Sequence, residues 1–203
     1  DLGKYSPTGF ALGVGYSRAF SDRFSVGGNV KFAKQHLGNS AIGLTGTSPI
    51  RKSFSESTMI VDFGVFYSTG FKSLNFALAS RNFSRENTYS EESFELPLTF
   101  RMGLSMDLMD FSEIDKKQHS LMVSLDTERP RDFSELIKIG AEYTLKQTIS
   151  LRGGYVFPTD EQGISLGFGV QHKVGKANIN VDYAYTDFGV FDNVNRFGIG
   201  LAF

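Results

Sequence analysis

Strict alternation between apolar residues and small or polar ones is the feature that most constrains what this chain can fold into. In the last segment, DNVNRFGIGLAF, Phe197, Ile199, Leu201 and Phe203 fall on one side of an extended strand. Arg196 and two glycines fall on the other side, because successive side chains of a β-strand point to opposite faces. The segment therefore predicts a strand with one wholly apolar face and one face of small residues and charge.

The same period of two recurs along all 203 residues and resolves the chain into about eleven extended segments, with almost no helical pattern. The segments are roughly ten to thirteen residues long, whereas strands of soluble domains are usually about five or six residues long. A tilted strand needs about 9 to 11 residues to cross a bilayer. The lengths favour an all-β, transmembrane antiparallel β-barrel over the alternative, a soluble β-sandwich.

The connections between the segments alternate in length. Counted back from the end, the odd-numbered links are longer and polar, and the even-numbered links are tight turns except for 109–117. Outer-membrane barrels have short periplasmic turns and longer external loops. The sequence therefore predicts external loops at the longer links, which are 35–57, 83–93, 128–134, 158–162 and 187–195.

The polar side of the segments carries charges in mid-strand, flanked by glycine and serine. Side chains on a face that meets open water have no reason to be so small, whereas side chains inside a barrel must fit a confined lumen. Aromatic residues lie near the segment ends on the apolar side, as in the interfacial girdles of membrane barrels. We predict a lumen charge network formed by Arg101, Asp107, Asp126, Glu142, Arg152, Asp182 and Arg196.

Composition excludes several kinds of site. The net charge of −1, with no clustered basic face, argues against a nucleic-acid partner. No cysteine is present to form a disulfide or a thiolate metal site, and no apolar run is long enough for a transmembrane helix. The three histidines lack a second ligand at metal-binding spacing, so we expect no metal and no cofactor. In the acidic stretch 84–95, a calcium site at Glu86, Glu91 and Glu92 competes with the commoner interpretation, a solvated surface loop.

The odd number of segments raises a difficulty for a closed barrel. Single-chain bacterial barrels have even strand numbers, and an open sheet edge is not stable in lipid. We therefore expect either that one segment is miscounted or that strands preceding Asp1 belong to the protein.

Several stretches resemble the PorV/PorQ family of outer-membrane proteins, itself similar to the FadL-type fatty-acid channels. These stretches are YSRAFSDRFSVGGNVKF, LPLTFRMGLSMDL, LRGGYVF and VDYAYTDFGVFDNVNRFGIGLAF, and they occur in family order over nearly the whole chain. The resemblance implies that residues 1–203 are a single outer-membrane domain, the C-terminal part of a FadL-like barrel of about fourteen strands. Its first strands and an N-terminal plug would precede Asp1.

The resemblance also implies a function. PorV-like proteins are not enzymes; they serve the type IX secretion system by binding the C-terminal signal domain of secreted cargo, and they contact translocon subunits. The expected surroundings are outer-membrane lipid. The alternative is a FadL-like channel for hydrophobic small molecules, which predicts an apolar pocket, whereas the lumen-side residues are charged or very small.

Candidate partner-binding residues lie in the longer links. Phe188 and Phe191 occupy a polar link in which burial in lipid is not required, so they are candidate anchors for a protein partner. The alternative is that both rings fold back and cap the lumen. Further candidates in the other predicted loops are Arg51, Phe54, Arg129 and Arg131.

Overall fold

The computed structural model describes residues 7–46, 48–84, 87–89, 92–94, 96–160, 162–175 and 177–202. Within these ranges the chain forms thirteen strands and two short 3-10 helices. The strands are β1 (Thr8–Ala19), β2 (Phe24–Thr45), β3 (Ser48–Ser68), β4 (Asn75–Ser84), β5 (Asn87–Tyr89), β6 (Glu92–Phe94), β7 (Thr99–Asp107), β8 (His119–Pro130), β9 (Leu136–Leu145), β10 (Ile149–Phe157), β11 (Ile164–Val174), β12 (Ala177–Asp187) and β13 (Asn193–Ala202). The 3-10 helices are η1 (Leu108–Phe111) and η2 (Gly189–Phe191).

Eleven of the strands form one sheet, in the order β1-β2-β3-β4-β7-β8-β9-β10-β11-β12-β13. Every neighbouring pair is antiparallel, so the sheet is a meander in which each strand returns beside the previous one. In the described part of the chain, β1 and β13 are its two edges, and β5 and β6 form a separate small hairpin. The prediction of an all-β chain with eleven antiparallel strands is confirmed.

Register keeps the alternating residues of all strands on two common faces. Phe32 of β2 pairs with Leu12 of β1 and with Met59 of β3, and Leu125 of β8 pairs with Leu104 and Ile139. These residues belong to the apolar face of the sheet. The residues between them form the polar face, because directly paired residues of an antiparallel ladder point the same way.

The apolar face is not covered by other parts of the protein. Among the described residues no apolar side chain is fully buried, and Leu12 and Ile199 remain 71% and 79% exposed. Burying such a side chain gains about 1.5–3 kcal/mol, so a face of this size left in water would be strongly unfavourable. A β-sandwich would bury this face against a second sheet. The single sheet agrees with the predicted transmembrane barrel, in which lipid meets the apolar face.

The connections lie at two ends of the sheet. The turn end holds the connections 20–23, 69–74, 108–118 and 146–148 and the end of β11, and the loop end holds the connections that lead into β3, β7, β9, β11 and β13. None of the helices in the described ranges is long and apolar enough to span a membrane.

The predicted link 35–57 is wrong. β2 and β3 have 22 and 21 residues and stay paired almost to the tip of their hairpin, with register shifts after His36 and Ala41. The remaining strands of the sheet have between 9 residues in β7 and 12 residues in β1 and β8. The hairpin therefore continues well past the apolar part of the sheet, which ends near Phe32 and Met59.

Candidate functional site

Charged side chains on the polar face of β7 to β12 form two separate clusters, and hydrogen bonds connect the members of each. The first, the β7–β9 cluster, consists of Arg101, Glu128 and Lys138 on three successive strands. Arg101 Nη2 donates to Glu128 Oε1 at 2.9 Å, and Lys138 Nζ donates to the other oxygen, Oε2. Both oxygens of one carboxylate are therefore occupied by cations from the strands on either side.

The second, the β9–β12 cluster, is centred on Arg152 of β10. Its Nε donates to Glu142 of β9, and its Nη1 donates to Asp182 Oδ1 of β12 at 2.6 Å. Asn180 Nδ2 donates to the second oxygen of Asp182 at 2.9 Å. Arg152 and Asp182 are two strands apart, so their side chains meet above β11 rather than across a directly paired position.

Glycines provide the space for this meeting. On β11, Gly169 pairs directly with Asp182, and Gly167 pairs with Arg152. A Cβ added at Gly169 would lie 2.6 Å from Asp182 Oδ1 and 3.0 Å from Arg152 Nη1. Likewise, the carboxylate of Asp126 lies over the paired residue Gly103. The small residues that the sequence places on this face are thus the floor on which the charged side chains lie.

A further ion pair on the polar face joins β2 and β3. Lys31 of β2 bonds Asp62 of β3, and the backbone N–H of Asn82 donates to Asp62 Oδ1 at 2.9 Å. Asn82 has a φ of 61° and lies within the register shift between β3 and β4, where Val61 pairs with Phe83 and Phe63 with Ser80. The Asp62 carboxylate therefore holds the irregular backbone at this shift.

Charges in these clusters are compensated within the face. The carboxylates of Asp62, Glu128, Glu142 and Asp182 each accept from a basic side chain. Among the described residues no group of three or more His, Asp or Glu side chains could hold a metal ion. The arrangement can fix the shape and local charge of the polar face, since oppositely charged groups on neighbouring strands hold one another in place.

The structure brings together three of the predicted network residues, Glu142, Arg152 and Asp182, whereas Arg101 belongs to the separate β7–β9 cluster. Asp126 and Arg196 lie on the same face, and Arg196 Nη1 donates to the Thr186 hydroxyl at 3.2 Å rather than to a carboxylate.

Asp107 has a different role from the predicted one. It ends β7 at the turn end, where its carboxylate caps η1 by accepting from Met109 N at 2.9 Å. It also accepts from the Ser120 hydroxyl and the Leu121 N–H at 2.8 and 3.0 Å, which fixes the start of β8.

Sequence reasoning left Glu128 out of the network. The predicted link 128–134 placed it at the start of a loop, whereas β8 continues to Pro130. The alternation of Asp126, Glu128 and Pro130 on one face was the signal that could have found it. Lys138 and Asn180 also belong to the clusters, and their partners depend on the register of neighbouring strands.

The partner-binding candidates are only in part where they were predicted. Arg51 and Phe54 lie within β3 and Arg129 within β8, so these three are strand residues rather than loop residues. The side chain of Arg51 lies outside the described residues, as do Glu86 and Glu91 of the acidic stretch and the side chain of Glu92. Arg131 follows β8 in the loop that leads to β9.

The candidate loop at 188–192 forms a compact turn around η2. Phe188 N donates to Asp192 O at 2.9 Å, and Gly189 N donates to the Asp187 carboxylate at 3.0 Å. Phe188 is half-buried, whereas Val190 and Phe191 are 89% and 71% exposed. The Phe191 ring therefore does not fold back onto the sheet.

At the turn end, Asp110 of η1 ties the 108–118 connection to the 69–74 turn. Its carboxylate accepts from Ser73 N at 2.7 Å, from the Ser73 hydroxyl and from Lys116 Nζ. Hydrogen bonds from Lys116 first, and then from Ser73, lower the pKa of Asp110 to about 2. This contact was not predicted, because the sequence gives no sign that two turns meet.

A cavity of about 590 Å³, wide open to its surroundings, lies on the polar face over β1 to β4. Its floor is made of small residues, and Phe66 of β3 forms part of its wall. Asp62, the partner of Lys31, also lines this cavity. The small lining residues include Ser17, Ser25, Gly27, Gly64, Ala77 and Ala79.

One antiparallel sheet with an uncovered apolar face and a charge-compensated polar face is the arrangement of a β-barrel membrane protein. Against models of protein families, residues 1–203 match the family described as type IX secretion system membrane protein PorP/SprF. The match covers the whole chain, and the chain therefore belongs to the PorP/SprF family. A search of curated proteins gave no match. The predicted assignment to type IX secretion is confirmed at this level, and the finer PorV/PorQ and FadL-like assignment stays a prediction.

Proposed function

We propose that the chain is an outer-membrane accessory protein of type IX secretion, without enzymatic activity, that binds other proteins through its loop end. The partner in this proposal is the C-terminal signal domain of secreted cargo or a translocon subunit, as the PorV/PorQ resemblance implies. Membership of a secretion-system membrane protein family supports a role beside the secretion machinery. The outer membrane is the proposed location because transmembrane barrels of this kind occur there.

The observation that carries the proposal is the exposed apolar pair Val190 and Phe191 at the loop end. Both side chains lie on a turn that is fixed by backbone and carboxylate hydrogen bonds. Exposed aromatic side chains on an ordered turn are typical anchors of protein interfaces, since the backbone there loses little conformational freedom on binding.

The test replaces both side chains, Val190→Ser and Phe191→Ser, in one variant. We expect the purified signal domain to bind the variant in nanodiscs at least about tenfold more weakly, as for loss of a central aromatic anchor. Secretion of signal-bearing cargo by cells should fall in parallel. Phe20→Ser is the matched control, since Phe20 lies at the turn end and is 64% exposed, close to the 71% of Phe191. Unchanged binding and secretion in the double variant would contradict the proposal.

The cavity over β1 to β4 favours a second candidate function, a FadL-like channel for hydrophobic small molecules. Ligand sites are commonly cavities of about 300–1,000 Å³ with mostly apolar linings. Ala79→Phe would place a ring in this cavity, and Ala184→Phe places one on the polar face of β12, outside it. If the chain is such a channel, Ala79→Phe alone slows uptake of a radiolabelled fatty acid into proteoliposomes. Equal uptake by empty liposomes and by both variants would rule out this candidate.

A further inference from the structure

One basic side chain lies on the apolar face of the sheet near the turn end. Arg18 of β1 pairs directly with Val26 of β2, which pairs in turn with Val65 of β3. Directly paired residues point the same way, so Arg18 projects from the face that meets lipid. Among the described strand residues it is the only lysine or arginine on this face in the half of the sheet nearer the turns.

A row of aromatic rings lies between Arg18 and the turns. Phe20 and Phe24 flank the 20–23 turn with ring centroids 6.1 Å apart, and Phe24 pairs directly with Tyr67, with centroids 6.4 Å apart. Aromatic rows of this kind mark the interface between membrane and water. Arg18 is two residues further into the strand than Phe20, about 7 Å along it, so its backbone lies on the lipid side of the row.

The Arg18 side chain extends back toward this interface. Its Cζ lies 5.5 Å from the centre of the Phe20 ring. Long basic side chains on lipid-facing positions turn toward the interface in this way, because the charged group avoids the hydrocarbon while the stem covers apolar surface. The guanidinium is therefore at the depth of the aromatic row, which is also the depth of lipid head groups.

No carboxylate neutralises this guanidinium within the described part of the chain. Arg18 forms no ion pair there, and neither does Arg23 in the adjacent turn, whose guanidinium lies against Gly70. Asp22 of the same turn pairs with neither arginine. Two arginines and one aspartate leave residues 18–24 with one net positive charge beside the aromatic row.

We infer that Arg18, with Arg23 beside it, binds the phosphate group of an anionic phospholipid in the leaflet that meets the turn end. A guanidinium can donate two N–H groups at once to phosphate oxygens. A phospholipid carries its phosphate at the interface and its acyl chains against the apolar face, so it complements both the charge and the rings. The inference goes beyond the proposed function, because it concerns the opposite end of the sheet and a lipid rather than a protein.

Tryptophan quenching measures which lipid lies beside Arg18. The chain contains no tryptophan, so Phe20→Trp places a single reporter next to the guanidinium of the full chain. The protein is reconstituted in phosphatidylcholine bilayers in which a minor fraction of the lipid, either phosphatidylglycerol or phosphatidylcholine, carries brominated acyl chains. Brominated phosphatidylglycerol should bind beside the reporter about fivefold more tightly, which is the effect of one basic residue near an anionic lipid surface. Tyr16→Trp, two residues from Arg18 on the same face, is a second reporter.

Three variants show whether the preference belongs to this site. Arg18→Gln in the reporter protein should abolish it. Lys173→Gln is the matched control and should leave it unchanged, because it removes one cation from the polar face at the turn end. Leu104→Trp, a reporter on the apolar face that pairs with Phe76 and Leu125, should show no preference. A rise from 50 to 500 mM salt should weaken the preference at Phe20→Trp, because the contact is between charges at an interface.

The inference is overturned by equal quenching with the two lipids, by a preference that survives Arg18→Gln, or by an equal loss with Lys173→Gln. Inorganic phosphate added at constant ionic strength should leave the quenching unchanged, and displacement of the lipid by it would show a site for free anions instead. Heat-modified migration of each variant on a denaturing gel checks that the sheet has folded. None of these measurements involves the loop end, so failure here is distinguishable from failure of the proposed function.

Discussion

Gly169→Ala is the substitution that tests the charge network most sharply. Gly169 and Gly198 both pair directly with Asp182, one on β11 and the other on β13. A Cβ at Gly169 would lie 2.6 Å from Asp182 Oδ1, whereas a Cβ at Gly198 would be 3.9 Å from the nearest atom, Asp182 Cβ. The first substitution must displace the carboxylate from Arg152, and the second fits without movement. Gly198→Ala is therefore the matched control.

The magnitude follows from the exposure of the broken pair. Hydrogen bonds to charged groups contribute about 1.5–3 kcal/mol, and exposed ion pairs contribute less than about 1 kcal/mol. The side chains of Arg152 and Asp182 are 42% and 34% exposed, so we expect a loss of about 1 kcal/mol. Apart from this loss, replacing glycine by alanine within a strand stabilises a protein by up to about 0.5–1 kcal/mol, and this gain is common to both variants. Gly169→Ala should thus be less stable than Gly198→Ala by about 1 kcal/mol, or about 2–4 °C in Tm.

The assay is unfolding of the folded protein in nanodiscs, followed by the loss of its heat-modifiable gel band. The same comparison is repeated in an Asp182→Ala background, where no carboxylate remains to be displaced. If the cost acts through Asp182, it should disappear there, as in a double-mutant cycle. Equal stability of Gly169→Ala and Gly198→Ala, or a cost that persists without Asp182, would refute the role assigned to this glycine.

Two further predictions concern single carboxylates, Glu128 in the β7–β9 cluster and Asp110 at the turn end. Glu128→Gln should cost more stability than Asp126→Asn by about 1 kcal/mol, since Glu128 holds both Arg101 and Lys138, and urea unfolding of the two variants checks this. At the turn end the pKa of Asp110 is lowered to about 2, so the stabilisation it gives is present above the ordinary carboxyl pKa of about 4 and is lost as the pH falls through about 2. Hydrogen exchange of the Ser73 amide should accordingly show protection that is constant between pH 8 and 5 and that fails near pH 2. In Asp110→Ala, which removes the acceptor of this N–H, protection should be absent at every pH, and Asp115→Ala is the unaffected control. Protection lost near pH 4 would contradict the assignment.

The sequence predicted the sheet well because period two reports directly on a strand with one apolar face. Phe24 to Phe32 and Met59 to Tyr67 alternate clearly, and these stretches lie in the apolar part of β2 and β3. Beyond them the same strands continue with mostly polar residues and irregularly spaced apolar ones, so a regular alternation no longer marks them. Backbone pairing holds the hairpin there, and backbone pairing leaves no trace in side-chain polarity.

The sequence predicts which face of the sheet carries the charged residues, but not which of these residues bond one another. Alternation alone places Arg152, Glu142 and Asp182 on the polar side. Which carboxylate Arg152 reaches depends on the register of β9 to β12 and on the gap above Gly169, and neither is visible in one sequence. The contact of Asp110 with Ser73 is harder still, since it joins two turns that are far apart in the chain.

The central claim is that lipid meets the apolar face and water meets the polar face. Single spin labels at 121 to 126 in β8, each on an introduced cysteine in this cysteine-free chain, test it in lipid bilayers. Labels at Leu121, Val123 and Leu125 should be accessible to oxygen, and labels at Met122, Ser124 and Asp126 to a water-soluble nickel chelate. Accessibility without this alternation, or with the two faces exchanged, would contradict the account.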